Sequence, residues 1–361
     1  TLCACVAAPP PFDEEKWHKT IEGQTVDAIY APNQRTGVFF NPWNPMQGKS
    51  LGQFLRWRFS RTAPYTEAEK SFLPKVIPDL DRRMQTLDDQ DFLAWIGHAT
   101  FLIRVNRTFW LTDPMLSKRA LLPARHTPPA LDMDFLRSIT APLNVVISHS
   151  HYDHLDTATI KALPGHATVV VPRGLGDYVR KLHSGKVREM DWWETLEMDN
   201  GTRLTCLPAQ HWSRRIGQDV NTTLWASYLI AAPDVSVYFG GDSGYFSGYR
   251  EIAKRFPQID YALMPLTAYH PRWFMHYAHM NAPETIQAFQ DLRAKVFIPT
   301  QWGTFRLGDN PPGFPVLDLK RTIDRLNLNP DPFLIMDIGD IRLLDRQQPL
   351  AGVEGDTLGQ N

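Results

Sequence analysis

Val145-Val146-Ile147-Ser148-His149-Ser150-His151-Tyr152-Asp153-His154-Leu155-Asp156 is the stretch that decides how this chain is read. An apolar run with strand composition leads straight into three imidazoles and a carboxylate within six residues, a spacing that lets side chains of a tight loop converge. Imidazole nitrogen and carboxylate oxygen together suit Zn²⁺ and related borderline ions, and no thiolate is required. The bland alternative, histidines that merely cap strand and helix ends, leaves so dense a cluster without a reason.

One loop cannot close a site for two ions, so further ligands are expected at other strand ends. His211 follows an apolar run in Pro208-Ala209-Gln210-His211-Trp212, and Asp242 follows another in Gly240-Gly241-Asp242-Ser243-Gly244. Glycines around Asp242 let the backbone come close to a ligand. Taken singly, each reads equally well as a turn residue; the histidine cluster is what recruits them.

Strands are predicted at 92–96, 100–105, 108–112, 144–148, 168–171, 203–207, 224–230, 235–239, 261–264, 296–299 and 333–336. Helices are predicted at 157–162, 174–182, 249–256, 282–292 and 316–326, with Asn281 and Glu284 as a reciprocal cap on the fourth. Strands first, then strands mixed with helices, describe an α/β chain of sheets covered by helices. Residues 1–85 are rich in proline and aromatics and read as an extension wrapped on a catalytic domain at 86–345, with a tail at 346–361. Within the extension, residues 51–61 place Leu51, Phe54, Leu55 and Phe59 on one helical stripe among Arg56, Arg58 and Arg61. A helix packed on the domain is the expectation, and a membrane-touching surface the alternative.

The 361 residues carry 38 Lys and Arg against 39 Asp and Glu, so no overall field favours nucleic acid. No apolar run of about 18 residues occurs, so no spanning helix is expected. Three cysteines, Cys3, Cys5 and Cys206, give no disulfide framework. Leu2-Cys3-Ala4-Cys5 resembles the end of a bacterial lipoprotein signal, which places the protein at the cell envelope with Cys5 as the lipidated residue; a chance match and a cytoplasmic protein are the alternative.

The H-x-H-x-D-H string, the later His211 and the Gly-Asp at 241–242 resemble the metallo-β-lactamase superfamily, whose fold is an αββα sandwich with metals at one edge. Trp95-Ile96-Gly97-His98-Ala99-Thr100, Leu111-Thr112-Asp113-Pro114, Asp191-Trp192-Trp193-Glu194, Tyr269-His270-Pro271-Arg272-Trp273-Phe274-Met275 and Trp302-Gly303-Thr304-Phe305 narrow the likeness. They resemble the N-acylphosphatidylethanolamine-hydrolysing phospholipases D, as do Asn41-Pro42-Trp43 and Leu55-Arg56-Trp57. The resemblance covers residues 36 to 345, and bacterial relatives with this signature include lactonase-like and outer-membrane-associated proteins.

By that resemblance one zinc ion is held by His149, His151 and His211, a second by Asp153 and His154, and Asp242 bridges them. The family's last ligand is a histidine at the position of Gln301, whose amide oxygen is a weaker ligand, so the second site is expected to be loose, to take a harder ion or to stand empty. His270, His276 and His279 are the residues able to compensate. His279 matches a family residue that faces the active site, although Ala278 stands where the family has Gln. His98 and Asp113 belong to the signature as residues that orient ligands by hydrogen bonds, or else as packing and strand-end caps. Tyr152 and Arg215 match positions near the substrate phosphate, or else are solvated.

The implied activity is hydrolysis of a phospholipid phosphodiester by a metal-activated water, with Asp242 and Asp153 at the reacting centre and His279 giving a proton to the leaving group. The partners implied are a phospholipid or other small anionic ester and the membrane surface that carries it. A lactonase or other esterase uses the same ligand set, and a non-catalytic membrane-associated binding protein is the reading that Gln301 and Ala278 leave open.

Overall fold

In the strand Phe92–Gly97 successive side chains point to opposite faces, and both faces are buried. Leu93 and Trp95 join the large core, while Phe92, Ala94 and Ile96 join a second cluster on the other side. A strand of this kind has to be covered twice. The computed structural model, which describes residues 11–344 apart from 47, 49, 61–63 and 199, shows with what.

Seven strands form one sheet in the order Ile341–Leu343, Phe92–Gly97, Thr100–Val105, Thr108–Thr112, Leu143–Val146, Thr168–Pro172, Lys186–Met190. The first four pair antiparallel, and from Thr108–Thr112 onward the pairing is parallel. Six strands form the other, in the order Val296–Thr300, Tyr261–Pro265, Ser236–Phe239, Ser227–Ala231, Arg203–Leu207, Thr195–Glu197, the first three parallel and the rest antiparallel.

Trp95, Phe101, Trp110 and Val146 of the first sheet share one core with Leu204, Tyr228, Tyr238 and Leu263 of the second. Outside the seven-stranded sheet, Leu136, Ile160 and Val179 bring in the helices Met133–Ser138, Thr157–Ala162 and Gly176–Arg180. Outside the other sheet lie Gly248–Arg255, Ala282–Leu292 and Phe314–Arg325, contributing Ile252, Ile286 and Leu319. The layers therefore run helix, sheet, sheet, helix, the expected αββα sandwich. Carboxyl ends of the parallel strands in both sheets carry the loops that begin at Asp113, Ser148, Gly240 and Gln301. That shared edge is where the site is built.

Residues before the first sheet are woven into this body. Trp17, Ile29, Phe39 and Trp43 belong to the main core, and the Trp17 indole N–H donates to Glu284 Oε1 at 2.8 Å. Four short helices here, Glu14–Glu22, Val26–Tyr30, Glu67–Ser71 and Leu80–Gln85, were hidden by the proline content. Cap residues did mark three of them: Asp13, Thr25 and Thr66 each accept a backbone N–H three residues on.

Several expectations need correction. Residues 333–336 are not a strand; Phe333 makes a single bridge to Phe297 from a turn set by Pro330. The strand expected from 224 starts at Ser227, because Leu224 and Ala226 donate instead to the carbonyls of Arg173 and Ser148 in the facing loops. The edge strands Lys186–Met190, Thr195–Glu197 and Ile341–Leu343 lack a sequence signal because the first is largely polar and the other two span only three residues each. The helix Leu51–Phe59 buries none of its residues, so the packed stripe expected of it is wrong. Cys3, Cys5, Arg61 and the tail lie outside the described residues, among which no helix is long and apolar enough to cross a membrane.

Candidate metal centre

The strand Leu143–Val146 delivers Ser148, His149 and Ser150 to the shared edge, all buried. From the other sheet, Gly241 brings in Asp242. Gly241 has φ +57, and a Cβ there would lie 2.6 Å from Ser148 Cβ, so only glycine lets the two loops approach this closely.

Four donors converge here. His149 Nε2 lies 2.8 Å from His151 Nδ1, and His211 Nε2 lies 3.2 Å from the same atom. Asp242 Oδ2 lies 3.7 Å from His149 Nε2 and 3.5 Å from His211 Nε2. Donors held by a tetrahedral ion at about 2.0–2.1 Å lie roughly 3.3 Å from one another, so the spacing fits. The outer ring nitrogens fix which lone pairs face inward. His149 Nδ1–H donates to Ser148 Oγ at 2.9 Å, and Ser148 Oγ–H donates to Asp113 Oδ2 at 2.5 Å. His211 Nδ1–H donates to the Ala278 carbonyl at 3.2 Å. Each arrangement leaves Nε2 as an acceptor aimed at the centre.

A second group lies beside the first. His98 Nε2 is 3.0 Å from Asp153 Oδ2, and His154 Nε2 is 3.2 Å from both Asp153 Oδ2 and Asp242 Oδ1. The latter two contacts lack hydrogen-bond alignment, so His154 Nε2 is a buried nitrogen without a hydrogen-bond partner. Its Nδ1–H donates to Asp113 Oδ2 at 2.6 Å, and Asp113 Oδ1 accepts the Ser148 backbone N–H at 2.6 Å. Asp113 and His98 are thus braces of the ligand loop.

Electrostatics support a cation. Burial pushes His149 and His211 well below the ordinary histidine range and His151 down to about 4, so their lone pairs are available near neutral pH. Burial also acts against Asp153 and Asp242, yet the surrounding histidines together outweigh it, His154 foremost, with His98 beside Asp153 and His211 and His149 beside Asp242, and hold both carboxyls well below the usual range. For His154, burial is outweighed by Asp242, Asp153 and Asp113, which hold its imidazole up. Three neutral imidazoles and two ionised carboxylates, balanced in part by the charge on His154, make up a donor set whose negative charge a divalent ion can neutralise.

Gln301 lies against Asp242 and Gly241. Its side-chain Nε2 donates to Asp242 Oδ1 at 2.7 Å and to the Gly241 carbonyl at 2.9 Å. Turning the amide over would set Oε1 against that carbonyl, so in this arrangement Gln301 presents its N–H to the cluster, while its Oε1 is buried without a hydrogen-bond partner. Gln301, His98 and Asp113 all sit at positive φ, +72, +54 and +30, and the Gln301 N–H donates to the His98 carbonyl at 3.0 Å. Strained backbone at three residues of one edge is typical of a functional site.

The remaining candidates divide. His279 stands 5.5 Å, ring to ring, from His211. His270 is bound at 2.7 Å to Tyr65 and packs near Phe314, and His276 donates to the Arg272 carbonyl, so neither compensates for Gln301. Arg215 is buried rather than solvated. One of its amino groups donates to the carbonyls of Ser150 and Leu155 at 2.7 and 3.0 Å, and its guanidinium lies 4.1 Å over the Tyr152 ring. These contacts brace the histidine loop. Asn41 was missed as a site residue: buried, it donates to the His211 carbonyl at 3.1 Å and to Tyr277 Oη at 2.6 Å, tying the extension to a ligand. Its Asn-Pro-Trp setting was the only signal.

Comparison with known proteins gives the following. A family model described as a β-lactamase superfamily domain matches residues 108–302. An uncharacterized protein of Mycobacterium tuberculosis is 37% identical over 308 residues, 79% of this chain and 78% of that one. An N-acyl-phosphatidylethanolamine-hydrolyzing phospholipase D 1 of Caenorhabditis elegans is 32% identical over 269 residues, 69% of this chain and 75% of that one. Among solved structures, a metallo hydrolase of the archaeon Ignicoccus hospitalis shares the fold, with a TM-score of 0.55 at 21% identity over 72% of this chain and 100% of that one.

Proposed function

The chain belongs to the metallo-β-lactamase superfamily as a metallo-hydrolase, and from that membership together with its site we propose that it hydrolyses phospholipid phosphodiesters of the N-acylphosphatidylethanolamine type. The observation that carries this reading is the convergence of His149, His151, His211 and Asp242 on one point, in a chain 32% identical to a phospholipase D over 75% of that enzyme. Those four residues would hold a zinc ion, and Asp153 and His154 would hold a weaker second one beside it.

A bound divalent ion supplies a Lewis acid and lowers the pKa of water. The chain's own residues do the rest. Asp113, acting through Ser148 and His154, sets the tautomers of the ligand imidazoles. Asp242, held by the Gln301 amide and Gly241, keeps a carboxylate oxygen at the reacting centre. Water adds to phosphorus, the bond from phosphorus to the ethanolamine oxygen breaks, and His279 protonates the departing oxygen. The products are phosphatidic acid and an N-acylethanolamine.

A partly aromatic cleft of about 470 Å³ lies between the N-terminal extension and residues 273–277, and none of its lining residues is one of the proposed metal ligands. Trp17, Met46, Trp273 and Phe274 line it, as does Tyr277, whose neighbour Ala278 holds His211. The test is to incubate zinc-loaded protein with N-acylphosphatidylethanolamine, a soluble phosphodiester and a panel of lactones, with products identified by mass spectrometry. Phosphatidic acid and N-acylethanolamine are expected. Turnover of lactones with no phosphodiester cleaved would replace this reading by an esterase.

A further inference from the structure

The helix Leu51–Phe59 is well formed, fully buries none of its residues, and tucks only Trp57 partly against the body. Ser50 and Gln53 cap it reciprocally, yet Leu51 is 73% and Phe59 71% exposed, with Phe54 and Leu55 close to half. Contiguous apolar side chains of this kind mark an interaction surface. The helix has no acidic residue and carries Arg56 and Arg58 in its last turn.

Two segments of the body hold it in place. Trp57 is the anchor: its indole N–H donates to Asp309 Oδ1 at 2.9 Å and its ring stacks on Phe274 at 4.8 Å. Asp309 belongs to the loop that leaves Gln301, and Phe274 to the segment that ends at His279. Both segments therefore lead directly into residues of the metal edge. Further exposed apolar residues share that edge: Leu121 and Leu122 follow Asp113, and Ile216, 78% exposed, follows His211. The Ile216 N–H donates to Tyr152 Oη at 3.0 Å, within the histidine loop.

Charge supplies the remaining argument. The same segments expose Arg56, Arg58, Lys118, Arg119, Arg214 and Arg306, against Asp219 and the partly buried Asp309, in a chain whose net charge is −1. Apolar side chains interleaved with cations, on one edge of a neutral molecule, match the boundary of an anionic bilayer, where acyl chains take the former and headgroups the latter.

We propose that this edge docks on anionic lipid, with the Leu51–Phe59 helix lying in the headgroup boundary and the metal centre opening toward the membrane. The choice of a lipid surface over other partners rests on the phospholipid reading above. Docking in this way delivers a headgroup phosphodiester to the site without the lipid leaving the bilayer.

The experiment is flotation of the full chain with phosphatidylcholine vesicles and with phosphatidylcholine–phosphatidylglycerol vesicles, at low and high salt. The native chain should bind the anionic vesicles, less so at high salt. Phe54→Asp combined with Phe59→Asp should weaken vesicle binding by at least about tenfold while leaving hydrolysis of a soluble phosphodiester unchanged. Equal binding by the variant, or no binding by the native chain, overturns the proposal. So does a loss confined to self-association, which would assign the face to a second copy. Failure to cleave the soluble phosphodiester would instead remove the catalytic reading and leave the vesicle result standing.

Discussion

Gln301 gives its side-chain amide to Asp242 at 2.7 Å, placing a neutral donor on the carboxylate oxygen that also lies 3.2 Å from His154. An N–H on that oxygen competes with a second cation for the same lone pairs. On the proposed reading, a single tightly held ion on the His149, His151 and His211 side is therefore the expected occupancy.

Gln301→His is expected to raise the metal content from about one to about two ions per chain, because imidazole offers an acceptor where the amide offers a donor. One non-glycine residue replaces another at φ +72, so no new backbone strain is introduced. Elemental analysis of dialysed protein checks it. An unchanged content would show that the amide does not control the second site.

Asp113 is the common acceptor for Ser148 and His154. Asp113→Asn turns one of its acceptors into a donor facing donors, which should lower stability by about 1–3 kcal/mol. Metal affinity should fall about 10–100-fold, since the ligand imidazoles lose their orientation. Thermal melts and competition with a chelator read the two effects separately.

Arg215→Ala distinguishes a brace from a phosphate contact. As a brace it should cost on the order of 2 kcal/mol of stability and reduce turnover, because the Ser150 and Leu155 carbonyls lose their donor. Arg215→Lys should recover little, since a single ammonium does not reproduce both the paired donation and the stacking on Tyr152. A raised KM with an unchanged melting temperature would return Arg215 to the substrate.

The candidate metal cluster was legible because the loop at 148–154 carries most of its donors in one local string that leaves the end of a buried strand. His211 and Asp242 were legible only as partners that this string required; the glycine that makes their approach feasible, Gly241, stood beside one of them. What escaped reading depends on long-range packing. The bond from Gln301 to Gly241 joins residues sixty positions apart, and it turns the amide N–H toward the cluster. Asn41 reaches His211 across the fold. The Leu51–Phe59 stripe had the periodicity of a buried helix, and periodicity reports which face is apolar, not what covers it. Edge strands such as Lys186–Met190 lack the apolar signal because only one neighbour pairs with them.

The central claim is that His149, His151, His211 and Asp242 jointly hold an ion on which hydrolysis depends. Metal titration of chelator-treated native protein and of His211→Ala, followed calorimetrically and with phosphodiester turnover measured on the same samples, tests it most directly. The native chain should take up about one tightly bound zinc and regain activity in step with it, while His211→Ala should lose both. Full turnover by the metal-free native chain, or unaltered tight binding and turnover by His211→Ala, would contradict it.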